Sequence, residues 1–212
     1  MLRGFPQDSF DVFAIPGLEP RMEAIKTFIR PQLEEIGSVF SPILSQELGE
    51  EFFFHVAKHA RRTVNPPNDT WVAWSTSKRG YKSLPHFQVG LWQSHLFIWF
   101  AIIYESPIKG EFAQHLMEKW IEVKNHIPEN YVWSVDHTLP SSIPHYEMND
   151  DKMAAILKKL KNNKKSELLC GINLKPDHPA IGNGQELMNL IESTFLTLKP
   201  LYELAKGGVR AI

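Results

Sequence analysis

Cysteine is nearly absent: Cys170 is the single thiol of the chain, so no intrachain disulfide can form and nothing points to an oxidising compartment. Set in the run Leu168, Leu169, Cys170, Gly171, Ile172, it reads as a small buried hydrophobe. Long apolar runs are missing too. No segment approaches the roughly 18 apolar residues of a membrane span, and the opening MLRGFPQDSF lacks the apolar core of a secretory signal. A cytoplasmic protein without membrane contact is expected. Net charge is also nearly absent, at −1, which argues against a whole-surface nucleic-acid binder. Finally there is no P-loop, dinucleotide glycine fingerprint, GxSxG elbow or HExxH. That disfavours the common motif-bearing enzymes, implies no cofactor, and leaves both enzymatic activity and any catalytic residue unassigned.

What is present has the composition of a globular protein, 43% hydrophobic and 22% charged, and its 212 residues without a linker-like break suit one domain spanning 1–212. From Leu18 to Leu48, Met22, Ile25, Ile29, Leu33, Ile36 and Phe40 recur at helical spacing. Pro31 predicts a kink, or a second helix with Pro31 in its first turn, and Gly37 a further break. From Glu51 the pattern changes to FFFHV, WVAWS, HFQVGLW and LFIWFAIIY, which read as strands, the last two joined as an antiparallel hairpin through Gln93, Ser94 and His95. GEFAQHLMEKWIE predicts an amphipathic helix with His115 facing solvent near Glu118. YVWSVD and SELLCGINL predict two more strands. Asp150 to Lys161 and Gly184 to Leu204 predict helices, the latter capped by Asn183. FDVFAI fits a seventh strand or a helical turn. Helices, then strands, then helices again predict an α+β fold, with a mostly antiparallel sheet of about six or seven strands flanked by helices.

Charge is unevenly spread. Residues 1–51 carry −5, whereas 55–86 carry +5 from Lys58, Arg61, Arg62, Lys78, Arg79 and Lys82 against Asp69 alone. The same stretch holds His55, His59, Tyr81 and His86. As a strand, HVAKHARR would place His55, Ala57, His59 and Arg61 on one face. As a helix it would bring His55 and His59 within reach of one metal, but no spacing rule supplies a third ligand, so no metal is expected. TVNPPNDT predicts a rigid turn, and KRGYK gathers cations and an aromatic ring around Gly80. Such groups suit a phosphate joined to a flat base. The candidate binding residues are therefore Lys58, His59, Arg61, Arg62, Lys78, Arg79, Tyr81, Lys82 and His86.

The leading expectation is binding of an anionic ligand, a nucleotide or a phosphorylated small molecule, with phosphoester chemistry as an extension. The two-histidine form of that chemistry requires His-x-Thr/Ser on two strands, and neither His86-Phe87-Gln88 nor His137-Thr138 fits it. A nucleic-acid module with Trp71, Trp74 or Tyr81 stacking on bases ranks second, and a non-catalytic interaction domain third; subunit number is left open. Trp92, Trp99, Trp120 and Trp133 fall on apolar faces and read as core. Trp71 and Trp74, three apart, cannot both face inward on a flat strand. Lysines 158 to 165 read as solvated helix-end charge.

HVAKHARRTVNPPNDTWVAWS followed by KRGYKSLPHFQVGLW, together with the opening SFDVFAIPGLEPRMEAIKTFIRPQLEEIG, resembles the YktB family of low-GC Gram-positive bacteria across nearly the whole chain. That resemblance implies one α+β domain with a helix-flanked sheet. It brings no activity, substrate or catalytic residue with it.

Overall fold

The computed structural model describes residues 3–207. The chain opens with α1 (Gln7–Asp11) and a 3-10 turn over Val12–Ala14. FDVFAI is thus helical rather than a strand. Helix α2 (Leu18–Ala24) runs through a π turn at Ile25–Ile29 into α3 (Arg30–Leu48). Pro31 lies in the first turn of α3, directly after the π turn, and a proline within a continuous helix, which lacks the N–H that position would donate, is where such local changes of winding occur. Gly37 does not break α3. It gives the Phe54 ring room to lie against the helix, since a Cβ there would collide with that ring, and its carbonyl accepts a hydrogen bond from Trp74 Nε1 at 3.0 Å.

Four strands follow: β1 (Phe53–Val56), β2 (Asp69–Ser75), β3 (His86–Trp92) and β4 (Leu96–Ile102). Then come α4 (Lys109–Glu118), α5 (Trp120–His126), β5 (Val132–Ser134), β6 (Ile143–Pro144), α6 (Asp150–Asn162), β7 (Leu168–Leu174) and α7 (Gly184–Ala205). The seventh strand is therefore the two-residue β6, too short to show a period. GEFAQHLMEKWIE is split at Lys119 into α4 and α5. His115 does not face solvent freely: its Nδ1 is 3.0 Å from the Leu204 carbonyl, which ties α4 to the end of α7. Asn183 caps α7 through its Oδ1, which accepts from the N–H groups of Gln185 and Glu186.

The strands form one sheet in the order β1-β2-β3-β4-β7-β5-β6, and every pairing is antiparallel. The fold is α+β, as the order of periodicities predicts. Helix α3 packs on β1 and β2, and α7 on β3, β4 and β7. Both cover the same sheet face. There Val72, Trp74, Phe87, Val89, Ile98, Phe100, Cys170 and Ile172 join the apolar side chains of the helices in one core. Burial pushes the Cys170 thiol well above its ordinary range. Yet β3 and β4 are buried at every position, which requires the opposite face to be covered as well. Loops provide that cover. Among the described residues no helix is long and apolar enough to cross a membrane; Met1 and Leu2 of the opening segment lie outside the described residues.

Candidate functional site

Strand parity decides which side chains reach the loop-covered face. Val72 and Trp74 point to the helices, so Asp69, Trp71 and Ala73 point the other way. The register pairs Trp71 with Gly90 and Ala73 with Gln88, Gln88 with Trp99 and His86 with Ala101, and Trp99 with Gly171. Phe97 and Trp99 stack there at 4.6 Å. They lie down over Gly90 and Gly171, where any Cβ would strike the rings. Three loops lie over this floor. The β1–β2 loop sets the His59 ring against Trp71 at 5.5 Å, and the β2–β3 loop brings in Tyr81. The β5–β6 loop is held through Ser142, which accepts from Asn173 Nδ2 at 3.2 Å, while Asn173 Oδ1 accepts from Trp99 Nε1 at 3.1 Å.

Polar groups gather on this face. Tyr81 Oη accepts from Trp71 Nε1 at 2.8 Å, and its ring meets His86 edge-on at 4.8 Å. Burial pushes the Tyr81 phenol up to about 12, so it keeps a proton to donate. His86 is fully buried. Its Nδ1 donates to the Leu84 carbonyl at 2.7 Å, and its Nε2 accepts from Gln88 at 2.8 Å. Burial lowers His86 to about 4, leaving a neutral ring with both nitrogens engaged.

His137 is arranged differently. Its Nδ1 lies 2.8 and 2.9 Å from the two oxygens of Glu167, a carboxylate whose side chain is 3% exposed. The same carboxylate accepts from the backbone N–H of His137 and from that of Tyr104 at 3.3 Å, while the Tyr104 ring stacks on the imidazole at 6.2 Å. Burial works against protonation of His137, but the hydrogen bond and charge of Glu167, aided by Asp69, outweigh it and raise its pKa. A carboxylate on Nδ1 fixes the ring's orientation and leaves Nε2 as the working nitrogen. Asp69 completes the group: burial, partly offset by Arg62 and His137, lifts its carboxyl to about 6.

The candidate residues named from sequence separate into three sets. Tyr81, Lys82 and His86 come together on this face, with Lys82 Nζ 3.1 Å from Glu105 Oε1 at an exposed position. Arg62 lies at its rim, bonding weakly to the Asn65 and Pro66 carbonyls at 3.4 Å and acting electrostatically on His59 and Asp69. The remaining cations take other positions. Lys58 lines a groove against Arg30 and Glu34 of α3, Lys78 Nζ sits 4.9 Å over the Phe53 ring, and Arg61 and Arg79 stand exposed.

HVAKHARR leaves the strand after Val56, and His59 adopts a left-handed φ of 51°. His55 then meets the Ser77 carbonyl at 2.8 Å and His59 the Thr70 hydroxyl at 3.2 Å, so the two histidines serve different partners. Asp136, His137 and Glu167 hold one ligand-type atom each within 4.8 Å of one another, and hydrogen bonds engage His137 Nδ1 and the Glu167 oxygens. Asp136 Oδ1 accepts from the Thr138 N–H and hydroxyl at 2.9 and 2.6 Å.

Sequence reasoning missed Glu167 and passed over His137. Glu167 had a signal: it stands two residues before Leu169 in a strand pattern, so parity alone places an acid on the buried sheet. No spacing in the chain announces that His137 would meet it, 30 residues away.

The chain matches the family model described as "Domain of unknown function (DUF1054)" over residues 5–202. The chain belongs to the DUF1054 family. A UPF0637 protein of Bacillus cytotoxicus is 50% identical to it over 203 residues, covering 96% of this chain and 98% of the relative. Another UPF0637 protein, from Bacillus velezensis, is 48% identical over 202 residues, covering 95% and 96%. The family resemblance carried by the opening segment and by the two strings that contain the basic loops thus holds over nearly the full length.

Proposed function

We propose that the protein binds a small phosphate-bearing ligand, a nucleotide or a phosphorylated metabolite, over the loop-covered face of the sheet. One observation carries this reading: Glu167 holds His137 by Nδ1, no hydrogen bond engages Nε2 among the described residues, and Lys82 acts electrostatically on His137 while Arg62 acts on Asp69. A protonated His137 offers an N–H to an anionic oxygen, Arg62 adds a guanidinium that no carboxylate among the described residues bonds, and Tyr81 adds an O–H. Charge-assisted hydrogen bonds of this kind are about twice as strong as neutral ones. Phosphoester chemistry by a histidine pair is not part of the reading, because His86 has no free nitrogen. The reading includes a cytoplasmic location, where such ligands abound.

Lys58 lines a groove along α3 instead, so the cations of this stretch do not all join in the continuous row that nucleic-acid phosphates need, which favours a compact ligand. The test is a thermal-shift series of the full chain with inorganic phosphate, ribose 5-phosphate and AMP at pH 6.5. Stabilisation that grows with ligand concentration and is lost in His137→Gln and Arg62→Ala is the expected result. Absence of any shift, or shifts that both variants retain, would exclude the proposal.

A further inference from the structure

Strand β1 stands at one end of the sheet order and pairs with β2 alone. The Ala57 N–H donates to the Trp71 carbonyl at 2.9 Å, which extends the same register by one pair. In an antiparallel ladder every second residue bonds to the neighbouring strand and those between turn outward. Phe53, His55 and Ala57 therefore bond to β2, while the N–H and C=O groups of Phe54 and Val56 face away from the sheet. Among the described residues no other segment bonds to them. An open edge of this kind is a template for a further strand.

A groove of about 430 Å3 borders this edge between β1 and α3, and its lining includes Arg30, Glu34, Ser38, Phe54, Val56 and Lys58. Phe54 sends its ring to the helix-covered face, yet it is 37% exposed where Trp74 and Phe87 on that face are fully buried. Cover is missing on the outer side. Glu34 is exposed and forms no hydrogen bond or ion pair among the described residues. Arg30 is held by one long bond, from Nη2 to the Ala57 carbonyl at 3.5 Å.

These two charges select the occupant. Arg30 reaches Ala57 and Gly37 lies against the Phe54 ring, so α3 and β1 run in opposite directions. With a rise of about 1.5 Å per helical residue and about 3.3 Å per strand residue, Val56 is level with the midpoint between Arg30 and Glu34. A two-fold axis through Val56, perpendicular to the sheet, turns a second copy end for end and sets Glu34 of the partner subunit opposite Arg30. An interface between identical copies needs this self-complementarity. An axis through His55 would set Glu34 against Glu34 of the partner subunit, and one through Phe54 would leave both charges unmatched.

We infer that β1 pairs antiparallel with β1 of a second copy about an axis through Val56, joining two seven-stranded sheets into one. Val56 then exchanges both main-chain hydrogen bonds with Val56 of the partner subunit. Lys58 lies opposite Phe54 of the partner subunit, whose exposed ring its ammonium covers. A lysine on a lone sheet edge wards off pairing, but in this register it meets an aromatic ring. Arg30 and Glu34 pair twice across the axis, and the two α3 helices lie side by side on one face. The association is independent of any ligand on the loop-covered face.

Sedimentation equilibrium of the full chain tests it, using wild type, Val56→Pro, Glu34→Arg, and a double variant that combines Arg30→Glu with Glu34→Arg. Proline at position 56 removes an N–H that points away from β2, so the bonds of β1 to β2 remain. Glu34 is exposed, so its change spares the fold, and the charge variants decide alone if Val56→Pro does not fold. Wild type should be dimeric at about 100 μM. Val56→Pro and Glu34→Arg should each weaken the dimer by about tenfold or more, the first by removing two symmetric bonds and the second by setting like charges together. The double variant should recover the wild-type affinity to within about threefold, because exchanging the two charges keeps them complementary. A monomer at that concentration overturns the inference and leaves the groove to a different chain. A dimer that neither single variant weakens, or a double variant as weak as Glu34→Arg, overturns it as well.

Discussion

The two faces of the sheet are built from the same strands and differ in what covers them. On one face α3 and α7 supply apolar side chains at helical spacing, and rings meet rings: Trp74 lies 6.2 Å from Phe40 and 5.5 Å from Phe195. On the other, irregular loops bring backbone groups and polar side chains. Tyr81, His86, Gln88, Asp69, His137 and Glu167 meet there through hydrogen bonds and charge. A helix satisfies its own backbone and can present a purely apolar stripe, whereas a loop packed on a sheet needs partners for its exposed N–H and C=O groups. The loop face is therefore polar for a structural reason.

Substitution can break this comparison. Trp74→Ala on the helix face should cost about 3–5 kcal/mol in urea unfolding, as large-to-small changes in packed cores do. Trp71→Ala, half-buried on the loop face, should cost less than half as much. Equal losses would mean that the loops pack as a second core.

Asp69→Asn probes the penalty of placing an acid on the loop face. Burial raises the folded-state pKa of Asp69 from 3.8 to about 6, so the folded chain holds this proton more firmly than the unfolded one. Ionised Asp69 then lowers stability progressively from about pH 4, and fully above about pH 6. The asparagine variant should be more stable than wild type at pH 8, by up to about 3 kcal/mol, and the gain should vanish near pH 4. A stability difference independent of pH would contradict it.

Glu167→Gln carries an expected loss of about 2 kcal/mol and has the sharpest signature. Glu167 raises the His137 pKa, so the pair contributes stability that is fully present below about pH 6.5 and is lost as pH rises through the folded-state value. The variant should bring the His137 imidazole resonance, followed by NMR, to titrate below its wild-type midpoint. Its deficit in stability should be larger at pH 6 than at pH 8. An unchanged midpoint would show that the carboxylate does not govern this histidine.

Local residues already specified much of this. Periodicity located α3, α6 and α7, the hairpin of β3 and β4, and the burial of Trp92, Trp99, Trp120 and Trp133, because amphipathic spacing is a local property of the chain. Strand parity also anticipated that Trp71 and Trp74 would part to opposite faces. The candidate site was legible only in part. Tyr81 and His86 were found because they lie in one stretch with the cations, but a charge count along the chain cannot see that β2 sends its two flanking loops off opposite ends of a strand. With seven residues at roughly 3.3 Å each, those ends lie far enough apart to separate Arg62 from Arg79.

By itself, then, the order of residues determined the elements, their apolar faces and membership of the α+β class, since each depends on neighbours within a turn or a strand. Tertiary structure alone decided that His137 meets Glu167, that Arg21 lies buried against the Ile15 and Pro67 carbonyls, and that a cleft forms beside Trp92. Those outcomes depend on which loops are brought over the second face of the sheet, and contacts between segments 30 or more residues apart leave no period in the chain.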